Sequence, residues 1–192
     1  MLKFAIICLD DTLTKDMKNS QETPQNRAFH GILRRLKSMI KVLFVCHGNI
    51  CRSPMAEFVF KDMVRKQHLE DKFIIESAAT SREEIGNDVH HGTRRKLAEV
   101  GVPVERRRAR QTTKEDYKNF DYLLLMDEWN RRNLMRIIGS DDQKKVFGLL
   151  DFSDNPRDIA DPWYTGNFDV TYDDVVEGCE TFLAHLKETG QI

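Results

Sequence analysis

One stretch, residues 42–57 with the sequence VLFVCHGNICRSPMAE, constrains the fold of this chain more than any other. It passes from an apolar run, through a short loop between Cys46 and Arg52, into the start of an amphipathic segment. This order predicts a buried strand, an anion-binding loop and the N-terminus of a helix. The backbone N–H groups of such a loop, the helix dipole and the guanidinium of Arg52 together favour a tetrahedral dianion.

The positions inside this loop suit nucleophilic attack on phosphorus. Cys46 lies where the strand ends, beneath the expected anion, and the positive field there favours its thiolate form. Gly48 allows a close approach of the backbone, and Asn49 tolerates left-handed dihedral angles. The same spacing also occurs as a buried cysteine at a strand end beside a surface arginine. Here the flanks of the loop, Ser53 directly after the arginine, and an acidic motif downstream favour the catalytic interpretation.

From residue 40 onward, predicted strands and helices alternate, which is typical of an α/β fold. The sequence predicts a single open parallel four-stranded sheet with helices on both faces and a phosphate-binding loop between the first strand and the first helix. Ligands of such sheets bind beyond the carboxyl ends of the strands, so this loop, the loop 78–90 and the loop carrying Asp161 are expected to rim one cleft. The predicted strands are 40–45, 73–77, 122–126 and 145–149, and the predicted helices are 53–67, 91–100, 114–120, 130–138 and 173–187.

The charge balance gives no reason to expect a nucleic-acid partner. The 30 basic and 31 acidic side chains leave a formal net charge of −1, so any preference for anions is local to a site. No apolar run approaches the roughly 20 residues that span a bilayer, and we expect no membrane association and no export. The cysteines show neither the density of a disulfide scaffold nor metal-ligand spacing, which favours a cytoplasmic protein without a metal. They are Cys8, Cys46, Cys51 and Cys179.

Hydrolysis of a phosphate ester through Cys46 needs a carboxyl group that protonates the leaving oxygen and then activates water. Asp161, in the DPWY sequence at 161–164, is the candidate, because Pro162 stiffens the loop beside it. Arg52 is expected to hold the phosphoryl oxygens through the transition state. Position alone leaves the choice of acid open, because the same region contains Asp151, Asp154, Asp158 and Asp169.

Several motifs resemble one known family in the same order along the chain. They are CHGNICRSPMAE, ESAATS at 76–81, ARQTTKEDY at 109–117, FDYLLLMDEWN at 120–130, and DPWY. From about residue 39 the chain resembles the low-molecular-weight protein tyrosine phosphatases. The resemblance implies hydrolysis of phosphotyrosine in protein substrates, and of small aryl phosphates, through a cysteinyl-phosphate and without a metal or other cofactor. It implies Cys46 as nucleophile, Arg52 as phosphate-binding residue and Asp161 as general acid and base.

The resemblance also implies supporting roles around the loop. Ser53 would donate a hydrogen bond to the Cys46 sulfur, although capping the helix is its simpler role. Asn49 and Ser77 would hold the loop in shape together with a histidine, but that position here is Arg107, which otherwise reads as part of a solvated basic run. The residues expected to bind phosphate or support the loop are His47, Gly48, Asn49, Ile50, Cys51, Ser53 and Ser77.

A second loop cysteine, Cys51, suggests a redox switch. In the resembling family this cysteine forms a reversible disulfide with the nucleophile and protects it from over-oxidation, which predicts a Cys46–Cys51 disulfide here. The simpler interpretation of Cys51 is a small core residue.

Residues near the cleft indicate the type of substrate. Trp163 and Tyr164 follow the acid and are expected to pack against a phosphorylated ring. The opposite wall, where the family often has an aromatic residue, carries Glu83, so the preference for peptide sequence should differ. Ile50 favours phosphotyrosine, because the phosphoarginine phosphatases of this family usually carry threonine there. His47 either faces solvent, which we favour, or tunes the field at the thiolate.

Two other functions are less consistent with the sequence. Arsenate reductases that share the fold need two further cysteines near one another downstream, and only Cys179 is present there. A phosphotyrosine-binding protein that had lost catalysis would keep the loop, but Cys46, Arg52 and Asp161 give no sign of such a loss. We expect a monomer or a weak homo-oligomer.

Residues 1–38 lie outside the resemblance. We expect an N-terminal extension of unknown role, disordered or the product of a mistaken start, followed by a phosphatase domain at 39–192. Within the extension, residues 4–9 suit a strand and 24–37 a short basic helix. The segment FAIICLDDTLT is comparable with the nucleophile motif of haloacid-dehalogenase-type hydrolases, but Cys8 stands where their aspartate would be. We therefore assign it no catalytic role.

Overall fold

The structure is a computed structural model and describes residues 39–192. A parallel four-stranded sheet forms the centre of this part of the chain. Its strands are β1 (Ile40–Cys46), β2 (Phe73–Ala79), β3 (Tyr122–Leu125) and β4 (Val146–Gly148), in the order β2-β1-β3-β4. All three neighbouring pairs are parallel. The predicted open α/β fold is confirmed.

Helices cover both faces of this sheet, because alternate residues of β1 are buried on opposite sides. Val42 and Phe44 belong to a large apolar core that includes residues of the first and last helices, whereas Leu43 and Val45 belong to a second core with Leu134. The helices are α1 (Arg52–Lys66), α2 (His91–Glu99), α3 (Lys114–Asn119), α4 (Glu128–Ile138), α5 (Pro162–Thr165) and α6 (Phe168–Glu188).

An aromatic cluster holds α1, the helix that follows the loop 46–52, against the sheet. Phe60 of α1 is fully buried and lies against Phe44, Phe73 and Phe182, with ring centroids 5.4–5.8 Å apart. Replacing such a residue by alanine typically costs about 3–5 kcal/mol. The cluster thus packs α1 against the sheet and against α6, and the N-terminal end of α1 follows the loop after β1.

Several predicted boundaries differ from the structure because side-chain caps extend the helices. The predicted helix 173–187 is α6, which begins at Phe168 because Asn167 accepts a hydrogen bond from Val170 N. The predicted helix 130–138 is α4, which begins at Glu128 because Asp127 caps it through Asn130 N. The short helix α5 was not predicted, and β4 is shorter than expected because a 3-10 helix begins at Leu149.

Some predictions fall beyond the described range. The strand at 4–9, the helix at 24–37 and the motif around Cys8 lie outside it, and the division into 1–38 and 39–192 stays a prediction. Within residues 39–192 no helix combines the length and apolar character needed to cross a membrane.

Candidate active site

A cavity lies at the carboxyl end of β1, where the loop 46–52 leads into α1. The loops after β2 and β4 reach the same cavity, as expected for a parallel sheet. The catalytic loop contributes Cys46, His47, Gly48, Ile50, Cys51 and Arg52, and the two other loops contribute Glu83, Glu84, Asp161, Trp163 and Tyr164. The structure therefore brings the predicted nucleophile, phosphate-binding arginine and acid together in one place.

The sulfur of Cys46 is held by two polar groups. Its Sγ lies 3.0 Å from Ser53 Oγ and accepts a hydrogen bond from the backbone N–H of Asn49 at 3.2 Å. Helix α1 begins without a side-chain cap, since Cys51 occupies the N-cap position and makes no such bond. The Ser53 hydroxyl contacts the sulfur and does not cap the helix.

The buried amide of Asn49 supports the loop from behind. Asn49 has a φ of 60°, a left-handed conformation that asparagine tolerates. Its Nδ2 donates to Ser53 Oγ at 2.8 Å and to Ser77 Oγ at 2.9 Å. Arg107 is not part of a solvated basic run, because its guanidinium is largely shielded from solvent and donates to Asn49.

Arg52 is buried and contacts two carboxylates. Its guanidinium makes ion pairs with Asp127 and Asp161 and donates to the backbone oxygen of Ile159 at 3.0 Å. Burial acts to lower the pKa of Arg52, but the charges of Cys46, Asp161 and Asp127 raise it above its ordinary value. Arg52 Nε is buried without a hydrogen-bond partner among the described residues, so a donor remains available for an anion.

Asp161 is placed by the one-turn helix α5. Its Oδ1 accepts a hydrogen bond from Trp163 N at 3.1 Å, Pro162 occupies the first turn, and Gly166 ends the helix with a φ of 68°. Trp163 and Tyr164 are 57% and 83% exposed and line the cavity, so they are accessible to a substrate.

Comparisons with known proteins agree with this geometry. A sequence model described as low molecular weight phosphotyrosine protein phosphatase matches residues 41–192. The protein belongs to this family. It is 40% identical over 156 residues to the low molecular weight protein-tyrosine-phosphatase YfkJ of Bacillus subtilis, covering 80% of this chain and all of that protein. It is 42% identical over 147 residues to the human low molecular weight phosphotyrosine protein phosphatase, covering 74% and 92% of the two chains.

Solved structures show the same fold. The crystal structure of YfkJ from Bacillus subtilis superimposes with a TM-score of 0.76 at 40% identity, covering 79% of this chain and 96% of that one. The crystal structure of a Drosophila arginine phosphatase superimposes with a TM-score of 0.71 at 31% identity, covering 77% and 98%. The solved structures that resemble this chain therefore include one named an arginine phosphatase.

The mouth of this phosphatase-family cavity is acidic. Glu83 Oε2 lies 3.0 Å from His47 Nε2, and their side chains are 72% and 43% exposed. His47 therefore faces the mouth and pairs with Glu83. Gly48 packs closely against Glu84, since a Cβ at that position would lie 3.1 Å from Glu84 Cγ.

Cys51 lies in the same loop as Cys46. It is buried, and burial together with the charges of Cys46 and Asp161 raises its pKa to about 12. Cys46 and Cys51 are both free thiols in the structure. Their predicted disulfide stays a prediction.

Two acidic residues that lie at the site were not predicted from the sequence. Asp127 contacts Arg52 and also caps α4, while Glu57 accepts a hydrogen bond from Ser77 Oγ at 2.6 Å. Asp127 lies two residues beyond the end of β3, at the edge of the sheet where ligands bind, and this position was the signal for it. Glu57 gave no comparable signal, because an acid in the second turn of a helix is usually solvated.

A second, wider cavity of about 470 Å³ adjoins the first and shares His47, Arg52, Asp161 and Tyr164 with it. The residues that it adds are Asp127, Trp129, Asn130 and Asn133. Trp129 is 66% exposed, and the Arg132 guanidinium lies 5.2 Å from its ring centroid. The exposed ring of Trp129 is therefore available to contact a side chain that neighbours the phosphorylated residue of a peptide substrate.

Proposed function

We propose that this protein hydrolyses phosphotyrosine in protein substrates, and small aryl phosphates, through a cysteinyl-phosphate on Cys46. The observation that carries the proposal is the convergence of Cys46, Arg52 and Asp161 on one cavity at the N-terminus of α1. Membership of the phosphotyrosine phosphatase family supports the same reaction.

Substrate binding uses the positive groups of the loop. The phosphoryl oxygens bind the backbone N–H groups of 46–52 and the guanidinium of Arg52, at the positive end of the α1 dipole. Gly48 and the left-handed Asn49 allow the backbone to curve around the anion. These groups supply the positive charge that the transition state needs, and no residue is assigned to a metal.

The first step transfers the phosphoryl group to sulfur. The Cys46 thiolate attacks phosphorus, an S–P bond forms, and the bond from phosphorus to the tyrosine oxygen breaks. Asp161 donates a proton to the departing phenolate oxygen. Arg52 contacts Asp161 in the structure, so binding of the phosphoryl group by Arg52 competes with that contact and frees the carboxyl group for the leaving oxygen.

The second step restores the enzyme. Asp161 accepts a proton from water, the water oxygen bonds to phosphorus, and the S–P bond breaks to release inorganic phosphate. The departing thiolate receives hydrogen bonds from Ser53 Oγ and Asn49 N, which lie 3.0 Å and 3.2 Å from the sulfur. These bonds stabilise Cys46 both as attacker and as leaving group.

Phosphotyrosine is the substrate that the cavity walls favour. Trp163 and Tyr164 offer faces for an aromatic ring, and Ile50 lies in the cavity where the phosphoarginine phosphatases usually carry threonine. Phosphoarginine is the second candidate, because Glu83 and Glu84 line the cavity and would attract a cationic guanidinium. Similarity to the Drosophila arginine phosphatase supports testing it.

The direct test is hydrolysis of para-nitrophenyl phosphate in the presence of a metal chelator, followed by phosphate release from matched phosphotyrosine, phosphoarginine and phosphoserine peptides. Turnover in the chelator, lost in Cys46→Ser, supports the mechanism. Undiminished turnover in Cys46→Ser contradicts it, and tight phosphopeptide binding without phosphate release indicates a binding protein.

We further propose that the enzyme works in the cytoplasm as a monomer or weak homo-oligomer. A reducing compartment keeps the Cys46 thiol available, which supports this location. Fractionation of cells and sedimentation of the purified chain test the two statements. Residues 1–38 are proposed to be an extension to the phosphatase domain, and comparing the activity of the full chain with that of 39–192 tests whether they matter for catalysis.

A further inference from the structure

A partly buried arginine, Arg107, contacts Asn49 behind the catalytic loop. Its Nη1 donates a hydrogen bond to the backbone oxygen of Asn49 at 3.0 Å, and its Nη2 donates to Asn49 Oδ1. The same Nη2 lies 3.4 Å from the backbone oxygen of Ser77. Only 13% of the Arg107 side chain is exposed. One guanidinium therefore contacts both the backbone and the side chain of the residue that gives the loop its left-handed turn.

These donors fix the direction in which the Asn49 amide points. The oxygen and nitrogen ends of an amide are distinguished by the groups that they face. Asn49 Oδ1 faces an Arg107 N–H and, at 3.2 Å, the backbone N–H of Arg110, and both groups can only donate. The amide nitrogen must then face the hydroxyl groups of Ser53 and Ser77.

The direction of the amide decides where the proton of Ser53 goes. Ser53 Oγ accepts a hydrogen bond from Asn49 Nδ2 at 2.8 Å, so its own proton is free to be donated. Cys46 Sγ, at 3.0 Å, is closer than the other acceptor, the backbone oxygen of Ala78 at 3.4 Å. A chain of hydrogen bonds thus runs from Arg107 through Asn49 and Ser53 to the sulfur.

Several ionisable groups surround the guanidinium of Arg107 and affect its pKa. Glu57 Oε2 lies 3.5 Å from Arg107 Nε, and Arg110, Asp88 and Cys46 are the other ionisable groups that act on it. Burial lowers the pKa of Arg107 from its ordinary value, Arg110 acts in the same direction, and Glu57, Cys46 and Asp88 oppose both. An arginine nevertheless stays protonated at any pH at which an enzyme works, so these hydrogen bonds do not titrate.

We propose that Arg107 is a positioning residue that holds the loop through Asn49 and directs the Ser53 proton to Cys46, independently of pH. The proposal rests on the proposed phosphatase function. The resembling phosphatases carry a histidine at this position, and a neutral imidazole has one N–H where the guanidinium has five. In this chain the hydrogen bonds from residue 107 to Asn49 therefore persist at alkaline pH, where an imidazole would lose one N–H donor.

The test compares Arg107→Met, Arg107→Lys and Arg107→His with the wild type. Two quantities are measured across pH: the rate at which iodoacetate alkylates Cys46, followed by mass spectrometry, and kcat and KM for para-nitrophenyl phosphate. Arg108→Met is the matched control, because Arg108 is exposed and does not contact Asn49. Within residues 39–192, its side chain donates a hydrogen bond to the backbone oxygen of Gly86, at 3.2 Å.

We expect Arg107→Met to move the midpoint of the alkylation profile to higher pH by about one unit. Its kcat should fall about 100-fold, with a smaller change in KM, because the nucleophile is mispositioned. Arg107→Lys should restore part of the loss, since a lysine keeps the charge but not the planar fork. Arg107→His should resemble the wild type at low pH and lose activity as the imidazole deprotonates, above about pH 6.5.

An alkylation midpoint in Arg107→Met equal to that of the wild type overturns the proposal, even if kcat falls, because the arginine would then support the fold alone. If Arg107→Met does not fold, Arg107→His decides: a pH profile parallel to that of the wild type overturns the proposal. Alkylation requires no turnover. A wild-type chain that fails to hydrolyse aryl phosphates would therefore disprove the proposed function and leave the role of Arg107 testable.

Discussion

The guanidinium of Arg52 contacts the carboxylate of Asp161, although 109 positions separate the two residues in the chain. Arg52 is at the start of α1, and Asp161 caps the single turn of α5. The contact joins the proposed phosphate-binding residue directly to the proposed acid.

Removing the carboxylic acid should affect chemistry more than binding. We expect Asp161→Asn to lower kcat for phosphotyrosine about 100- to 10,000-fold with little change in KM, because the leaving oxygen is no longer protonated. Steady-state kinetics measure both constants. Asp154→Asn is the control, because Asp154 is an exposed acid of the same region. Equal losses in the two variants would contradict the assignment of Asp161.

Mild peroxide should join Cys46 to Cys51. Peroxide oxidises the Cys46 thiolate to a sulfenic acid, and the Cys51 sulfur then displaces water to form the disulfide. The pKa of Cys51 is raised to about 12, so its thiolate fraction, and with it the rate of this second step, should rise about tenfold per pH unit between pH 7 and 9. Intact-mass measurements follow the loss of two hydrogens. Sulfinate on Cys46 as the sole product, with Cys51 unmodified, would exclude the switch.

The cavity beside the active site should contribute to peptide recognition. We expect Trp129→Ala to raise KM for phosphotyrosine peptides about 2- to 10-fold, the range that corresponds to one aromatic contact. KM for para-nitrophenyl phosphate should not change, because that substrate does not reach Trp129. Ile85→Ala is the control, because Ile85 is 50% exposed and lines neither cavity. A proportional rise in KM for both substrates would place Trp129 in the catalytic cavity instead.

The acidic mouth should select peptides by charge. We expect Glu83→Lys to lower kcat/KM for peptides with basic residues beside the phosphotyrosine by a few-fold and to raise it for acidic ones. The difference should shrink in about 0.5 M salt, because exposed charges are screened. Both effects are measured with a matched pair of phosphopeptides. An unchanged ratio between the two peptides would show that Glu83 takes no part in recognition.

The catalytic loop was predictable because its chemistry is local. The apolar strand, the glycine, the arginine and the following serine lie close together in the sequence, so the spacing from Cys46 to Arg52 alone predicts an anion site. The sheet followed from the alternation of strands and helices, which the structure confirms. Residues that act through the tertiary structure could not be found in the same way.

Arg107 shows why the remainder escaped prediction. Its neighbours Arg106 and Arg108 are exposed, and nothing in the three consecutive arginines indicates which one packs inward against Asn49. Only the pairing of β1 with β2 and the path of the chain after α2 bring it to Asn49. Asp127 is similar, because its sequence position suggests a helix cap and its contact with Arg52 depends on the order of the strands.

The ion pairs of Arg52 also bear on how the enzyme would clear its product. Inorganic phosphate left in the loop competes for the guanidinium with Asp127 and Asp161, which are held next to it by helix caps. Two carboxylates of the protein itself therefore compete with the released phosphate for Arg52. We therefore expect inorganic phosphate to inhibit the enzyme less than it would if Arg52 had no carboxylate partners.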